Sequence, residues 1–437
     1  MKNFFKVLLS SIMLFSFTSV NAFATDISST VRSEGMVLID AQTGQILSDK
    51  NSDKRFPPAS TTKVMTALLV LENLELTDIV TVGENPPFAE GSSVALKEGD
   101  MYSVESLLHA LLLQSSNDTA MAFAEHISGT EEEFGKLMTK RAKELGAKDT
   151  NFMNASGLPD DDHYTTAYDL SLVLREALKH EDFIRISQVL SYEMPKSRVD
   201  GETKWVNNST TMYNPNNSNY YADLVAAKTG YTDLARSCYV AAAKRDGQML
   251  ITVLLKSENK FHNFEDTRAL FDYGFESSDL VKLYSKGDLV TDITVNKTKV
   301  PLYTSDDVFF LLKKNEDTLT RGTKTLLETG VKPNLKLEQK DLTKTTFKEG
   351  DKILSTDILV DNQIVANIPL LSGVSMEYTP TKGAFDFFKS NIMFIGLGIF
   401  ATLIAMFIIK DKITHRRYRK RAKKIIFRSK NKNKLHW

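Results

Sequence analysis

The sequence predicts an α/β (α+β) chain in which an antiparallel sheet encloses a helical middle. A small all-β domain and one apolar C-terminal helix follow. Strand-like runs occur near residue 36 and again after residue 224, and helically spaced apolar residues fill the region between them. Beyond residue 278, short alternating runs sit between Gly, Asp and Lys turns. The length of 437 residues allows two or three domains.

The first predicted element is a hairpin over 36–40 and 46–48, whose strands flank Gln42-Thr43-Gly44. An apolar helix is expected over 60–72, after Pro57-Pro58. Further helices are predicted over 104–126, 131–145, 166–178 and 264–273, and further strands over 224–228, 237–243, 249–255, 281–284, 289–295 and 308–312.

The N-terminus has the pattern of a secretory signal peptide over residues 1–24. Lys2 and Lys6 precede a mainly apolar run over 7–17, and Ala22-Phe23-Ala24 is typical of a cleavage site. The alternative is an N-terminal membrane anchor, for which the run is short. We therefore expect an exported protein that begins near residue 25.

Residues 392–409 form an uncharged run of 18 residues near the C-terminus. As a helix it spans about 27 Å, just enough to cross a bilayer; a buried core helix is the alternative. Residues 410–437 then carry 13 Lys/Arg and one Asp, so the overall net charge of zero hides a basic tail and an acidic body. The positive-inside rule places this tail in the cytoplasm. Contact with anionic lipid is favoured over nucleic-acid binding, despite the interleaved Tyr418 and Phe427.

The chain has one cysteine, Cys238, so it cannot form an internal disulfide. A small buried core residue is a better interpretation than a catalytic thiol. No Cys/His cluster suggests a metal site, and we expect neither a metal nor an organic cofactor.

Three short motifs occur in a fixed order: Ser60-x-x-Lys63, Ser115-Ser116-Asn117 and Lys228-Thr229-Gly230. Together they are typical of active-site serine enzymes that attack D-alanyl peptides or β-lactams. Each motif alone is weak, because Ser-x-x-Lys also occurs at 257–260 and 429–432. Order and context carry the specificity.

Ser60 is the candidate nucleophile and Lys63 the candidate base, three residues along the same helix face. Lys63 can accept a proton only if it is neutral, which requires burial, a nearby positive charge such as Lys228, or both. The helix N-terminus would stabilise negative charge on Ser60. The alternative is an N-cap serine with a solvated lysine.

Ser115 and Asn117 lie in a polar break between helical runs. Ser115 could shuttle a proton, and Asn117 could hold Lys63 or a substrate amide. A plain helix–helix turn explains the pattern equally well.

Lys228, Thr229 and Gly230 end a predicted strand. Gly230 would let a substrate backbone lie against the strand edge, and Lys228 and Thr229 can bind a terminal carboxylate. The N–H groups of Ser60 and Tyr231 are candidates for an oxyanion hole.

These motifs resemble those of the low-molecular-mass penicillin-binding proteins that are serine-type D-Ala-D-Ala carboxypeptidases. The likeness covers roughly residues 33–275 and includes the segments 58–63, 91–93, 151–158, 163–167 and 228–232. It implies a penicillin-recognising serine transpeptidase/β-lactamase-like fold. It also implies removal of the terminal D-Ala from peptidoglycan pentapeptides through an acyl-enzyme on Ser60, and inhibition by penicillin.

The changes of pattern along the chain predict the domain order, which also resembles that of the family. The order is a catalytic domain over 25–277, a β-rich domain over 278–378, a juxtamembrane linker over 379–391, a single span over 392–409 and a basic cytoplasmic tail over 410–437. The catalytic domain would then lie outside a bacterial cell membrane.

The chain departs from the family pattern at three places. Ser115-Ser116-Asn117 stands where Ser-Gly-Asn is usual, a mild change. Ala235-Arg236 stands where Ala-Gly is usual, and Asn263-Phe264 stands where Arg-Phe often begins a helix. That family arginine helps bind the substrate carboxylate. Our hypothesis is that Arg236 replaces it, since a guanidinium suits a carboxylate; the alternative is a solvated strand residue.

Three other functions stay open from the sequence. A β-lactamase would need a second base, and no Glu-x-x-x-Asn arrangement lies between Asn117 and Lys228. The sequence poorly distinguishes a D,D-endopeptidase from a D,D-carboxypeptidase. A β-lactam-binding sensor would be catalytically silent, against which the intact Ser60 and Lys63 argue.

Overall fold

The computed structural model describes residues 27–313, 324–325, 333–360, 362–378 and 380–432. The predicted signal peptide over 1–24 lies outside these residues. The described chain divides into two compact units. The first contains the chain up to Lys286, with Asp306–Leu335 and Asp357–Asn367. The second contains Gly287–Ser305, Lys336–Thr356 and Ile368–Trp437.

An antiparallel sheet of five strands, in the order β2-β1-β9-β8-β7, organises the first unit. Its strands are β1 (Gly35–Asp40), β2 (Ile46–Lys50), β7 (Leu224–Thr232), β8 (Arg236–Arg245) and β9 (Gln248–Ser257). The predicted hairpin and three later strands are thus confirmed. Because β7 ends the sheet, one of its edges is not paired within the sheet.

Two short hairpins lie between these strands in sequence. They pair β3 (Ile79–Thr81) with β4 (Met101–Ser103), and β5 (Ser191–Glu193) with β6 (Trp205–Asn207).

The helical middle of the first unit is as predicted except for one break and for a short helix, Glu181–Ser187, that was not predicted. Its helices are α1 (Lys63–Asn73), α2 (Val104–Leu113), α3 (Asn117–Ser128), α4 (Glu131–Glu144), α5 (Ala167–Ala177) and α6 (Glu181–Ser187), and α7 (Lys260–Ser277) follows the sheet. The predicted 104–126 helix is two helices, because Ser115 has a left-handed backbone (φ 64°).

The two faces of the sheet bury different side chains, as the period-2 alternation of strands requires. On β1, Val37 and Ile39 pack in the core shared with the helical middle. Met36 and Leu38 belong to the opposite core, which includes Phe264 of α7. The sheet is therefore covered on both faces.

The helix starts follow local capping chemistry. The Ser103, Thr130 and Thr166 hydroxyls accept hydrogen bonds from backbone N–H groups three residues ahead, at the starts of α2, α4 and α5. Gly129, at φ 80°, ends α3 in the left-handed conformation that favours glycine.

Residues beyond 277 are rich in β-strands. A sheet of three strands has the order β13-β10-β14, and one of five strands has the order β11-β12-β17-β16-β15. The strands are β10 (Ser278–Tyr284), β11 (Leu289–Val295), β12 (Thr298–Thr304), β13 (Val308–Lys313), β14 (Lys324–Thr325), β15 (Asn334–Leu337), β16 (Lys352–Val360) and β17 (Gln363–Ser372).

The last element, α8, runs over Pro380–Lys432. Within the described residues, Lys389–Arg421 is the one helical stretch long and apolar enough to cross a membrane, with a mean hydropathy of 2.7 over its most apolar window. It includes the predicted span over 392–409.

Candidate active site

Ser60 and Lys63 meet where the chain enters α1. A 3-10 turn over Ala59–Thr62 carries Ser60, and α1 begins at Lys63. Lys63 Nζ lies 3.1 Å from Ser60 Oγ. It also donates to Asn117 Oδ1 at 2.7 Å and to the Ser156 carbonyl at 2.7 Å. The structure thus brings the predicted nucleophile and base into direct contact.

Lys63 is fully buried, and its surroundings favour the neutral amine. Burial lowers the pKa of Lys63 well below its usual value, and the positive charge of Lys228 lowers it further. The negative charges of Glu131 and Asp118 act in the opposite direction. Both causes anticipated from the sequence, burial and the charge of Lys228, are therefore present.

Lys228 is the second buried lysine of the site, with 1% of its surface exposed. Burial lowers the pKa of Lys228 to about 7. Its Nζ donates to the Thr229 carbonyl at 3.0 Å. An anionic group bound beside it would favour its charged form.

Asn117 links the base to a neighbouring segment. Its Oδ1 accepts from Lys63, and its Nδ2 donates to the Glu90 carbonyl at 2.6 Å. Its own N–H donates to the Ser92 carbonyl at 2.6 Å. Of the two roles considered from the sequence, the structure shows Asn117 holding Lys63.

Ser115 lies in the turn between α2 and α3, with a positive φ that is costly for a residue other than glycine. Its Oγ is buried and has no hydrogen-bond partner among the described residues. Such a hydroxyl is available to a substrate or a proton in transit.

Asp118 follows Asn117 and was not predicted. It is fully buried, and its carboxylate accepts from Ser93 Oγ at 2.6 Å and from the Leu96 N–H at 3.0 Å. It also accepts from the Ser116 hydroxyl. Asp118 therefore fixes the 93–96 segment against the start of α3. Its place beside Asn117, in the polar break seen in the sequence, was the available signal.

The edge strand β7 lies directly against the nucleophile. A Cβ on Gly230 would be 2.9 Å from the Ser60 backbone N and 3.0 Å from that of Thr61. Only glycine fits this approach without a shift of the backbone. Tyr231, the next residue, is 58% exposed.

Thr229 is held by a residue that sequence reasoning missed. Its Oγ1 lies 2.8 Å from Ser209 Oγ, and the Ser209 N–H donates to the Leu113 carbonyl at 3.0 Å. Ser209 thus ties β7 to the end of α2. It lies in a polar loop with many hydroxyl and amide side chains, so no sequence pattern distinguishes it.

Arg236 lies at the start of β8, opposite Thr232 of β7. It is exposed and has φ 55°, and its side chain makes no hydrogen bond or ion pair with another described residue. Asn263 is buried, and its Nδ2 donates to Ser237 Oγ at 3.1 Å. The structure places Arg236 near the end of the motif strand but does not bring it into contact with the other predicted residues.

The 151–158 loop supplies the Ser156 carbonyl that Lys63 contacts. Asn154 Oδ1 accepts from the N–H groups of Ser156, Gly157 and Leu158 and so folds the loop on itself. Gly157 has φ 84° and lies so close to the Ala59 carbonyl that a Cβ there would overlap it. The family-like segment quoted from the sequence thus packs under the nucleophile.

His163 joins this loop to the nucleophile turn. The Met153 N–H donates to His163 Nδ1 at 3.1 Å, so the ring proton lies on Nε2, which donates to Thr62 Oγ1 at 3.0 Å. Burial lowers the pKa of His163 to about 4. The imidazole is therefore neutral near pH 7.

Cys238 is buried, as predicted, and burial raises the pKa of its thiol to about 12. It is therefore no nucleophile. Among the residues that the structure describes, no three His, Cys, Asp or Glu side chains cluster in a way that could hold a metal ion.

Comparison with known families gives two matches. The profile of the family described as D-alanyl-D-alanine carboxypeptidase matches residues 21–259. The profile described as penicillin-binding protein 5, C-terminal domain, matches residues 279–378.

Curated relatives and solved structures agree with these matches. The chain is 32% identical to the D-alanyl-D-alanine carboxypeptidase DacF of Bacillus subtilis over 391 residues, which cover 86% of this chain and 95% of the relative. The crystal structures of penicillin binding protein 5 from Haemophilus influenzae match with a TM-score of 0.65 at 25% identity, covering 79% of this chain and 98% of that one. A D-alanyl-D-alanine carboxypeptidase structure from Mycobacterium tuberculosis matches with a TM-score of 0.52 at 30% identity, covering 56% and 92%.

Proposed function

Because this chain belongs to the D-alanyl-D-alanine carboxypeptidase family, we propose that Ser60 is its nucleophile and Lys63 its general base. The protein is a serine-type D-Ala-D-Ala carboxypeptidase with a penicillin-binding fold. One observation carries the assignment of roles: a buried lysine amine lies 3.1 Å from the hydroxyl of Ser60.

The acylation step follows from this contact. Neutral Lys63 takes the proton of Ser60 Oγ, and the oxygen attacks the carbonyl carbon of the penultimate D-Ala. The bond to the terminal D-Ala breaks, its nitrogen takes up a proton, and an ester on Ser60 remains. Water, deprotonated by the same amine, then hydrolyses the ester and restores Ser60.

Ser115 is the candidate that returns the proton to the leaving nitrogen. Its buried hydroxyl lacks a partner among the described residues, and it lies two residues before Asn117, which holds Lys63. Asn117 keeps the amine directed at Ser60 while the proton moves. The N–H groups of Ser60 and Tyr231 would stabilise the oxyanion, since Gly230 lets β7 approach the nucleophile turn.

The free carboxylate of the terminal D-Ala would bind at the end of β7. Lys228 supplies positive charge there, and the Thr229 hydroxyl supplies a hydrogen bond. Arg236 is the proposed third partner, because it is exposed, unpaired among described residues and opposite Thr232. Asn263 cannot take that role, since its side chain is neutral and buried against Ser237.

The substrate in the cell would be the peptidoglycan stem peptide that ends in D-Ala-D-Ala. β-Lactams would acylate the same Ser60, because they also present a reactive carbonyl and a carboxylate.

We further propose that the protein is a bacterial membrane protein with its catalytic domain outside the cytoplasm. The helix over Lys389–Arg421 would provide the single span, and the basic residues after 409 would keep the tail in the cytoplasm. The catalytic domain would cover 25–277 and the β-rich domain 278–378. Protease added outside intact cells should degrade the catalytic domain; its protection would contradict this topology.

The test of function uses the full-length protein in detergent micelles and a peptide that ends in Lys-D-Ala-D-Ala. We expect release of D-alanine, together with a covalent penicillin adduct of one equivalent detected by intact mass. An adduct without release, even from cross-linked muropeptides, would contradict the carboxypeptidase function and favour a sensor.

A further inference from the structure

Glu131 is an acidic residue in the first turn of α4. Its side chain does not face solvent, whereas those of the next two residues do. Acids at this position ordinarily stabilise a helix through its dipole. Glu132 and Glu133 are exposed and pair with Lys136, each at 2.8 Å. Glu131 is instead half-buried, and its Oε1 accepts from the Ala155 N–H at 3.1 Å.

Residue 155 is held from both sides. Its N–H donates to Glu131 of α4, and its carbonyl accepts from Thr66 Oγ1 of α1 at 2.6 Å. The next carbonyl, that of Ser156, accepts from Lys63 Nζ at 2.7 Å. The loop is therefore a hydrogen-bonded bridge from the start of α4 to the amine of the proposed base.

The charge of Glu131 also reaches Lys63. It raises the pKa of Lys63, against the larger effects of burial and of Lys228 on β7. Asp118 on α3 acts in the same direction as Glu131. Burial raises the pKa of Glu131 itself; the charge of Glu125 on α3 raises it further, and that of Lys63 lowers it. Burial lowers the pKa of His163 to about 4, and the charge of Lys63 also lowers it, so this imidazole is neutral near pH 7.

We infer that Glu131 is a positioning residue for Lys63. Through the 154–157 loop it fixes the Ser156 carbonyl that accepts from the Lys63 amine, and it places a negative charge near that amine. This inference rests on the proposed role of Lys63 as the general base. Because the hydrogen bonds of Lys63 go to Ser60, Asn117 and Ser156, Glu131 acts through the loop and through space.

The two effects can be separated by substitution. Glu131→Gln keeps an oxygen acceptor for the Ala155 N–H and removes the charge. Glu131→Ala removes both. Glu132→Gln is the matched control, since it makes the same change of charge one residue along α4, at an exposed side chain.

The experiment measures the second-order rate of acylation by a fluorescent penicillin against pH, with the full-length protein in detergent micelles. In the unsubstituted protein the rate should rise with pH as Lys63 loses its proton. Loss of a nearby negative charge lowers the pKa of Lys63, so Glu131→Gln should shift this rise to lower pH by roughly 0.5–1 unit. Its plateau should change little, and Glu132→Gln should match the unsubstituted protein.

Glu131→Ala should show the same shift as Glu131→Gln and also a plateau lower by on the order of tenfold, because the loop no longer fixes the amine. Thermal melting checks that each variant is folded; if Glu131→Ala is not, the Gln variant alone decides. A pH profile of Glu131→Gln that coincides with that of Glu132→Gln would overturn the inference.

Lys63→Met separates this failure from a failure of the proposed function. If Lys63→Met acylates as fast as the unsubstituted protein, Lys63 is not the base, and both proposals are wrong. If Lys63→Met is inactive while Glu131→Gln is unshifted, only the inference about Glu131 is wrong.

Discussion

The base side and the carboxylate side of the candidate site are built in opposite ways. On the base side, Lys63 is fully buried and its amine contacts three oxygen atoms. On the carboxylate side, Arg236 is exposed and unpaired among described residues, and Tyr231 is 58% exposed. The proposed base is thus fixed before substrate binds, whereas Arg236 and Tyr231 are left open to it. Lys228, also proposed to bind the carboxylate, is buried like the base. Substitutions on the base side should therefore affect rate, and those on the carboxylate side should affect binding.

The largest effect should follow loss of the base. Lys63→Met keeps an apolar stem of similar length but removes the amine, so acylation should slow by on the order of 10³-fold. Stopped-flow measurement with a fluorescent penicillin gives this rate. A loss below about tenfold would show that another group accepts the proton of Ser60.

Two substitutions of Asn117 test separately the position and the charge state of the Lys63 amine. Asn117→Ala should slow acylation roughly 100-fold, since Lys63 loses an acceptor. Asn117→Asp keeps an acceptor and adds a negative charge, which raises the pKa of Lys63. The rise of rate with pH should then move to higher pH, opposite to Glu131→Gln. Movement to lower pH would contradict the account of the base side.

Gly230 lies where the two sides meet. Gly230→Ala would place a Cβ 2.9 Å from the Ser60 backbone N, so β7 must move away from the nucleophile. We expect kcat/KM for a D-Ala-D-Ala peptide to fall by on the order of tenfold, with little change in melting temperature. An unchanged kcat/KM would show that this close approach is not needed.

Arg236 should give a smaller effect that appears in binding. Arg236→Ala should raise KM about tenfold with little change in kcat, because a charge-assisted hydrogen bond to the substrate carboxylate is lost. Arg236→Lys should recover part of this loss. The same kcat/KM in Arg236→Ala and the unsubstituted protein would leave Arg236 a solvated strand residue.

His163 should affect the free energy of unfolding in acid and leave substrate binding unchanged. Its folded pKa of about 4 lies below the unfolded value of 6.5, so the unfolded state binds more protons between these values. The contribution of His163 to the free energy of unfolding is therefore complete above about pH 6.5. It is lost as the pH falls towards 4, by up to roughly 3 kcal/mol.

His163→Asn should therefore flatten the fall of the unfolding free energy with acid. The exposed His126, substituted by Gln, is the control. Denaturant melts across this pH range provide the measurement, and an equal slope in both variants would contradict the assignment.

The sequence predicted the sheet, the helical middle and the residues around Lys63 because these depend on periodicity and on motifs with fixed chemistry. The sequence also placed Ser115 in a polar break within its 104–126 helix, and the structure has this break at residues 114–116, where Ser115 has a left-handed backbone. Asp118, Ser156 and Ser209 were missed, since their roles depend on which loops meet in space. Ser156 acts through its backbone carbonyl, which no side-chain pattern can reveal. The contacts of Arg236 with substrate remain a prediction, because they too depend on which groups meet in space.

The central claim is that Ser60 forms the acyl-enzyme from which D-alanine has left. Its most direct test compares the full-length protein with Ser60→Ala on a peptide that ends in Lys-D-Ala-D-Ala, by quantifying released D-alanine and the intact mass of the protein. We predict release by the unsubstituted protein and neither release nor penicillin adduct in Ser60→Ala. Release of D-alanine that persists in a folded Ser60→Ala protein would contradict the account.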